Sequence, residues 1–351
     1  MDRPFIPTIS QLNTSMSLPA EIWAEVLSYV SHPSDRHSLL LVSNLLRIES
    51  ERVIYKDVSL SIQSSNATDP DYAAIEHIAN CERVARHIQS LTLCSGKTSE
   101  GTSSGLEEGF QTLRSSEDVF DIFITTPGLA LQRFRSDIDL SLSLARFVRS
   151  QQSSLRRLEL SFAEDIMYIS SAYNMASTTS SLTTLVTNNL RLFLPLSSSI
   201  THLRLTYSWR GFTMDPNPLA ALKSLSIEQV LETLDLYLLE SRFPNLTYLE
   251  VCFQDWVHGF IRFSLFVAHL LFKPSLFANI LKQCLNLRKL KVLLYRSQLG
   301  YDYYRREHHH RIVQATTEAT PQLMSIDVAA PGAHMYHLIN VRHGLWDGET
   351  V

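Results

Sequence analysis

The residues best suited to chemistry form the stretch "RREHHHR", Arg305–Arg311. Imidazole nitrogens and carboxylate oxygens are common ligands of zinc and other transition metals. On a helix, however, three consecutive histidines point about 100° away from one another, so they cannot jointly hold one ion. His310 follows Glu307 at the spacing found in carboxylate metal sites, but the sequence offers no second pair of this kind. We therefore interpret the stretch as a solvated helix face and keep an enzyme that uses these histidines as a third hypothesis.

Other catalytic patterns are missing from the sequence. It contains no glycine-rich phosphate loop and no GxSxG elbow. The four cysteines, Cys81, Cys94, Cys252 and Cys284, include no CxxC pair, and a nucleophilic thiol needs an activating neighbour. We expect reduced, mostly buried thiols in a cytoplasmic or nuclear protein. The sequence thus predicts a protein that is not an enzyme and holds no metal or cofactor.

Composition narrows the class of protein further. The 351 residues suit two ordinary domains or one elongated domain, and 45% of them are apolar. The net charge of −4 argues against a general nucleic-acid binder, which would be markedly basic. No apolar run reaches the roughly 18 residues that a membrane-spanning helix needs, so we expect no membrane span. The first ten residues lack the apolar core of a signal peptide.

Most of the chain repeats a short pattern of large aliphatic residues, Φ-x-x-Φ-x-Φ. Clear copies are "HIQSLTL", "SLRRLEL", "SITHLRL", "ALKSLSI", "NLTYLEV", "NLRKLKV" and "QLMSIDV", and weaker ones are "LQRFRS" and "LTTLVT". The middle apolar residues of the nine copies are Leu91, Phe134, Leu158, Leu185, Leu203, Leu225, Leu249, Leu290 and Ile326. Five of their eight separations lie near the roughly 20–29 residues of leucine-rich repeats.

Helical sequence separates several of these copies. The segments are Ile227–Phe243, Phe277–Cys284 and Tyr303–Ala319, and each ends just before the next copy. A unit of short strand, loop and helix predicts an α/β solenoid over residues 59–351. The Gly/Ser-rich sequence near 95–118 predicts a flexible insertion within it.

Side chains between the apolar positions of these strands point away from the core, because successive side chains alternate. They form a candidate substrate face on the concave side of the solenoid. Its members are Arg133, Arg135, Arg157, Glu159, His202, Arg204, Tyr248, Glu250, Lys289 and Lys291, with Ser325 and Asp327 completing the row. Arginine binds carboxylate or phosphate in a bidentate manner, which suggests an acidic or phosphorylated partner segment. Alternatively, these arginines pair with Glu159 and with loop acids on an ordinary solvated surface.

A small helical unit precedes the repeats, after a flexible leader at residues 1–16. Pro19 suits the first turn of a helix, and the apolar residues from Ile22 to Val30 recur on one stripe. Ser34 or Asp35 is expected to cap a second helix, whose stripe is Leu39, Val42 and Leu46. About 40 residues make a marginal core, so such a unit normally leans on a partner.

This unit, residues 17–58, resembles an F-box. The matching residues are Leu18-Pro19-Ala20-Glu21-Ile22-Trp23, Val26-Leu27, Asp35, Leu39, Val42-Ser43 and Ile54-Tyr55. Arg36 and Asn44 depart from the family pattern, which has leucine and a basic residue there. The fold class that the resemblance implies is a three-helix F-box followed by an irregular leucine-rich-repeat α/β solenoid.

The resemblance also implies a function and partners. F-box domains dock on the Skp adaptor of a cullin–RING ubiquitin ligase, and the repeats present a substrate protein. The docking residues carried over are Leu18, Pro19, Ile22, Leu39, Val42 and Leu46. The chain would then be a non-catalytic ligase subunit that binds neither nucleic acid nor membrane. The alternative is a leucine-rich-repeat scaffold whose N-terminal helices only cap the solenoid.

Overall fold

A computed structural model of the chain describes most of the helical unit and all the predicted repeat strands. The described residues are 20–62, 70–95, 117–162, 173–175, 180–193, 199–206, 220–228, 243–254, 281–282, 284–295, 320, 322–329, 336–342 and 345–350. They fold as an α/β protein, in which three N-terminal helices precede one twelve-stranded sheet. No helix among them is long and apolar enough to cross a membrane.

The N-terminal helices are α1 (Ala20–Ser28), α2 (Pro33–Leu39) and α3 (Asn44–Ile54). The second helix begins at Pro33, so the prediction that Ser34 or Asp35 caps it is wrong. Proline suits this first helical position, because the N–H group that it lacks would have no partner within the helix. The predicted stripe from Leu39 to Leu46 is also wrong as a single helix. Ser43 interrupts it, because its Oγ accepts the Leu46 N–H at 3.2 Å and caps α3.

The twelve strands follow one another across the sheet in chain order. They are β1 (Asp57–Ile62), β2 (Ser90–Ser95), β3 (Arg133–Ser136), β4 (Arg157–Leu160), β5 (Thr184–Thr187), β6 (His202–Leu205), β7 (Ser224–Ile227), β8 (Tyr248–Gln254), β9 (Lys289–Tyr295), β10 (Ser325–Ala329), β11 (Tyr336–Arg342) and β12 (Leu345–Thr350). Strands β1 to β10 are parallel, as expected when each is followed by a crossover.

The nine predicted strand positions are all confirmed. The middle apolar residues lie opposite one another from strand to strand, beginning with Leu91 beside Phe134 and ending with Leu290 beside Ile326. All nine are buried. The entry to each strand is equally regular, since one carbonyl accepts two N–H groups from the next strand, as Gln89 does from Gln132 and Arg133 at 2.9 Å.

Helices cover the buried face of the sheet between several strands. Helices α4 (Pro70–Asn80) and α5 (Glu82–Ala85) precede β2, α6 (117–125) precedes β3, and α7 (Leu142–Ser150) precedes β4. A short 3₁₀ helix, Leu190–Phe193, follows β5. The insertion predicted near 95–118 has therefore become helix by residue 117, and 96–116 lie outside the described residues. Most of the three predicted later helices lies outside them as well.

The core lies between these helices and the sheet. Phe147 of α7 meets Phe134 of β3 edge to face with ring centroids 5.1 Å apart. Phe120 and Phe123 of α6 complete the aromatic cluster, with centroids 5.7 and 6.0 Å from that of Phe147. All four rings are buried, so aromatic packing fixes the helices on the early strands.

Two boundaries differ from expectation. Strand β1 begins at Asp57, so the last two residues of the predicted helical unit, 57 and 58, belong to the sheet. Strands β11 and β12 pair antiparallel at the end of the sheet, beyond the last predicted strand position at Ile326. Neither strand carries the Φ-x-x-Φ-x-Φ pattern, which is why the pattern did not indicate them.

Candidate interaction surfaces

Helix α1 exposes a stripe of apolar side chains. Trp23 and Val30 are partly buried and Leu27 is fully buried, so this side packs inward. Ile22, Val26 and Tyr29 are spaced by four and three residues and are all exposed, Tyr29 by 78%. The apolar residues of α1 thus form two neighbouring stripes rather than one, and the outer stripe has no partner in the described part of the chain.

Apolar exposure is concentrated in this unit. The link between α2 and α3 exposes Leu41 by 89% and Val42 by 65%, and Ile48 on α3 is 46% exposed. Nine large hydrophobic residues are exposed among the described residues, and six of them lie between positions 22 and 48. Single exposed hydrophobics are ordinary, but a concentration of this kind marks an interaction surface. We call these six residues, Ile22, Val26, Tyr29, Leu41, Val42 and Ile48, the apolar surface.

The residues predicted to dock a partner differ in how exposed they are. Ile22 and Val42 belong to the apolar surface, and Leu39 is partly buried at the end of α2. Leu46 is 8% exposed and packs within the helical unit, where it is available for the core rather than for a partner. Leu18 and Pro19 lie outside the described residues. Tyr29, Leu41 and Ile48 were missed, because their positions lie outside the family pattern.

The two departures from the F-box pattern have local structural roles. The Arg36 Nε donates a 2.6 Å hydrogen bond to the carbonyl of Val30, two residues beyond the C-terminal end of α1. A cation at that end also suits the helix dipole. Asn44 is exposed and begins α3 directly after the Ser43 cap. Both residues are therefore compatible with the three-helix arrangement.

The sheet's exposed face carries two rows of outward side chains. Residues that face one another on successive strands form row one, Arg133, Arg157, Thr184, His202, Ser224, Tyr248, Lys289 and Ser325. Row two is Arg135, Glu159, Val186, Arg204, Ser226, Glu250 and Lys291, and the backbone of Asp327 is in register with Lys291. The predicted candidate face is thus brought together, and its carboxylates all lie in row two.

Most charges of row two are paired. Glu159 contacts Arg157 of row one at 2.5 Å and Arg135 at 3.8 Å. Arg204 pairs with Glu228, which directly follows β7, and this acid was not among the predicted residues. The signal that could have found it is its position, one residue after an apolar strand. The alternative in which these arginines pair with Glu159 and with loop acids therefore describes Arg204 fully and Arg135 and Arg157 in part. It does not describe Arg133, which has no ion-pair partner among the described residues.

Glu250 is the centre of a small polar network. Its Oε1 lies 2.8 Å from the Lys291 Nζ, and its Oε2 accepts hydrogen bonds from the Tyr248 hydroxyl at 3.0 Å and from Ser226 at 3.3 Å. Burial alone would raise the pKa of this carboxyl, but the hydrogen bonds and the Lys291 charge outweigh it and leave the pKa below its usual value. Glu250 is therefore ionised and held in place.

Between these charged groups the face is lined by small side chains. Thr184, Val186, Ser224 and Ser226 occupy β5 and β7 and leave a shallow depression of about 190 Å³. Arg157 and Glu159 border it on one side, and Tyr248 and Glu250 border it on the other. The depression is open to solvent and polar at its rim, which suits a protruding side chain of a partner better than an enclosed small molecule.

The remaining candidates for chemistry are metal-binding groups and thiols. The described residues hold no group of three or more histidine, cysteine, aspartate or glutamate side chains that could bind an ion, and His308–His310 lie outside them. Cys81 and Cys94 are partly exposed free thiols, and Cys284 is buried. Burial, followed by the Asp137 charge, raises the pKa of the partly exposed Cys94 thiol, which makes it less nucleophilic.

No known protein family matches the chain, and no curated protein matches it either.

Proposed function

We propose that the chain is the substrate-recognition subunit of a Skp–cullin–F-box ubiquitin ligase. The N-terminal helices would dock on the Skp adaptor, and the sheet's exposed face would bind a protein substrate. The ligase chemistry would belong to the other subunits, so the chain itself needs no active site. The helical unit is then an F-box and the sheet an irregular leucine-rich-repeat solenoid.

The observation that carries the proposal is the apolar surface. A unit of three short helices buries Leu27 and Leu46 but leaves six large hydrophobic side chains in solvent. Burying apolar area contributes about 25 cal/mol per Å², so such a surface gains free energy when a partner covers it. Three residues of the F-box pattern, Ile22, Val26 and Val42, belong to this same surface.

The alternative is a scaffold protein in which the helices only cap the sheet. Tyr55 packs against the core, and Glu51 of α3 pairs with Arg83 of α5, so the helical unit does contact the first strands. Capping explains these inward contacts. It gives no reason for the exposure of Leu41 and Val42, and we therefore prefer the adaptor.

Co-purification with a Skp adaptor tests the choice. Full-length wild-type protein is expected to retain the adaptor on an affinity column, and the double variant Ile22→Asp, Val42→Asp is expected to lose it. Both side chains are exposed, so the double variant should keep the wild-type melting temperature. Leu285→Asp is the matched control, because Leu285 is 74% exposed but lies just before β9.

Each outcome decides between the two functions. Loss of the adaptor in the double variant and retention in the Leu285→Asp control support the ligase subunit. Failure of the wild type to bind the adaptor, or equal binding by the double variant, would favour the scaffold.

A further inference from the structure

Three arginines and one carboxylate lie together where β3 and β4 are side by side. Arg133 and Arg135 project from β3, and Arg157 and Glu159 project from β4 in the same two rows. Glu159 is the only acid of the four, so the group carries a net charge of two positive units. We call these four residues the arginine corner. The corner is largely open, with Arg135 70% exposed and Arg157 53% exposed.

The arginines of the corner keep donors available. Arg135 and Arg157 both contact Glu159 through Nε, at 3.8 and 2.5 Å, and no acceptor among the described residues contacts their Nη groups. Arg133 is exposed and has no ion-pair partner among those residues. A guanidinium binds a carboxylate best through two parallel N–H groups, and the Nη groups offer that geometry. Glu159 thus orients two guanidiniums without using up their donors.

The strands on either side do not neutralise the corner. Ser90 and Thr92 face it from β2, and Thr184 and Val186 face it from β5, so its lateral neighbours are uncharged. Asp137, just beyond β3, accepts the Ser95 N–H at 2.5 Å. Elsewhere on the face the cations differ, since Glu228 holds Arg204 and Glu250 holds Lys291. Apart from Lys289 on β9, the unpaired arginine and lysine charge of the two rows therefore lies at β3 and β4.

We propose that the arginine corner binds an acidic segment of the partner protein, through carboxylates of aspartate or glutamate. This proposal rests on the proposed function, because it names the class of substrate that the exposed face would select. Neighbouring strands lie about 4.8 Å apart, and alternate side chains of an extended peptide lie about 6.6 Å apart. Acids separated by one residue therefore reach two of the arginines at once. The small-residue depression beside Arg157 receives the side chain that follows them.

A synthetic peptide tests the proposal directly. The probe is a fluorescent peptide of about ten residues with alternating Glu and Ser, and the reference peptide replaces each Glu with Gln. Full-length protein is expected to bind the Glu peptide and not the Gln peptide, with an affinity that falls as salt is added. Arg133→Glu with Arg157→Glu is expected to weaken binding by about tenfold or more, because two attractions become repulsions.

Lys289→Glu is the matched control. Lys289 is an exposed cation of row one on β9, six strand spacings and about 29 Å from Arg133, and no acid among the described residues pairs with it. Its reversal is expected to change the affinity less than twofold, since a Debye length is about 8 Å at physiological salt.

The outcomes distinguish the acidic-segment proposal from the ligase function on which it rests. No binding of the Glu peptide, equal binding of the Gln peptide, or equal losses in the Lys289 and arginine variants would overturn the acidic segment. Binding of a phosphoserine peptide in place of the Glu peptide would overturn the carboxylate class. Adaptor co-purification is measured on the same variants. If the wild type retains the adaptor but binds no peptide, only the arginine-corner proposal is refuted. If the wild type does not retain the adaptor, only the ligase function is refuted.

Discussion

Replacing Glu250 by glutamine should destabilise the protein in a pH-dependent way. The carboxylate contacts Lys291, Tyr248 and Ser226 at 2.8, 3.0 and 3.3 Å. Glutamine has the same shape as glutamate. With its oxygen turned toward Lys291, its NH₂ group faces the hydroxyl oxygens of Tyr248 and Ser226, which can accept its N–H groups. The substitution therefore keeps the number of contacts and removes only their charge. Any loss of stability measures the charge of one carboxylate.

The size of that loss follows from the type of hydrogen bond. Bonds to a charged group contribute about 1.5–3 kcal/mol and neutral ones about 0.5–1.5 kcal/mol. The Lys291 side chain is 35% exposed, so solvent screening reduces its share toward the surface ion-pair range of about 0.2–1 kcal/mol. We expect Glu250→Gln to lower the free energy of unfolding by about 1 kcal/mol at pH 7.

The pH dependence has a defined sign. The pKa of Glu250 is lower in the folded protein than the ordinary value of 4.5. A carboxyl with a depressed pKa stabilises the fold above its unfolded pKa, and that stabilisation is lost as pH falls through the folded pKa. The difference between wild type and Glu250→Gln should thus be constant from pH 7 down to about pH 5 and shrink as the pH falls further.

Urea unfolding of both full-length proteins between pH 3 and pH 7 measures this difference. Glu76→Gln is the control, because Glu76 lies exposed on α4 and has no partner among the described residues; it should leave the urea midpoint unchanged. Equal midpoints of wild type and Glu250→Gln at pH 7 would refute the network. A difference of the same size at pH 3 as at pH 7 would refute its electrostatic origin.

Three further substitutions test the packing that positions the two surfaces, each by its urea unfolding midpoint. Phe147→Ala should cost about 3–5 kcal/mol, because Phe147 is fully buried in the aromatic cluster, and a cost under 1 kcal/mol would contradict that packing. Ser43→Ala should cost about 1 kcal/mol by removing the α3 cap, whereas Ser43→Asp should restore it. Gly128→Ala should cost about 1–2 kcal/mol, since Gly128 has a φ of +79° and a Cβ there would lie 2.7 Å from the Arg86 Cγ; an unchanged midpoint would show that the turn relaxes.

The repeat strands were predictable because their signal is local and periodic. Leu203 and Leu225, for example, each stand in a Φ-x-x-Φ-x-Φ segment, and burial of one sheet face leaves a single register that hides every such residue. The α2–α3 junction was not predictable from periodicity. Leu39, Val42 and Leu46 fit one helix by spacing. The structure instead begins a new helix after Ser43, whose hydroxyl accepts the Leu46 N–H.

The candidate sites divide in the same way. Alternation placed Arg135, Glu159 and Arg204 on the exposed face, and they lie there. Which of them are neutralised depends on contacts between strands and loops. Arg204 is paired through Glu228, which follows the next strand, and 24 residues separate the two in sequence. Sequence alternation therefore predicts a face, whereas the free charge on it depends on tertiary packing.

Specific contacts join the helical unit, which carries the apolar surface, to the part of the fold that carries the arginine corner. Glu51 of α3 is nearly buried and pairs with Arg83 of α5, and the Tyr55 ring packs against the core beside His77 of α4. Burial, followed by the Glu51 charge, raises the pKa of Tyr55, so its ring stays neutral in this contact. The ion pair and the packing of Tyr55 therefore join the helical unit to the rest of the fold. In a ligase subunit, these contacts would help to set the orientation of a partner on the apolar surface relative to the arginine corner.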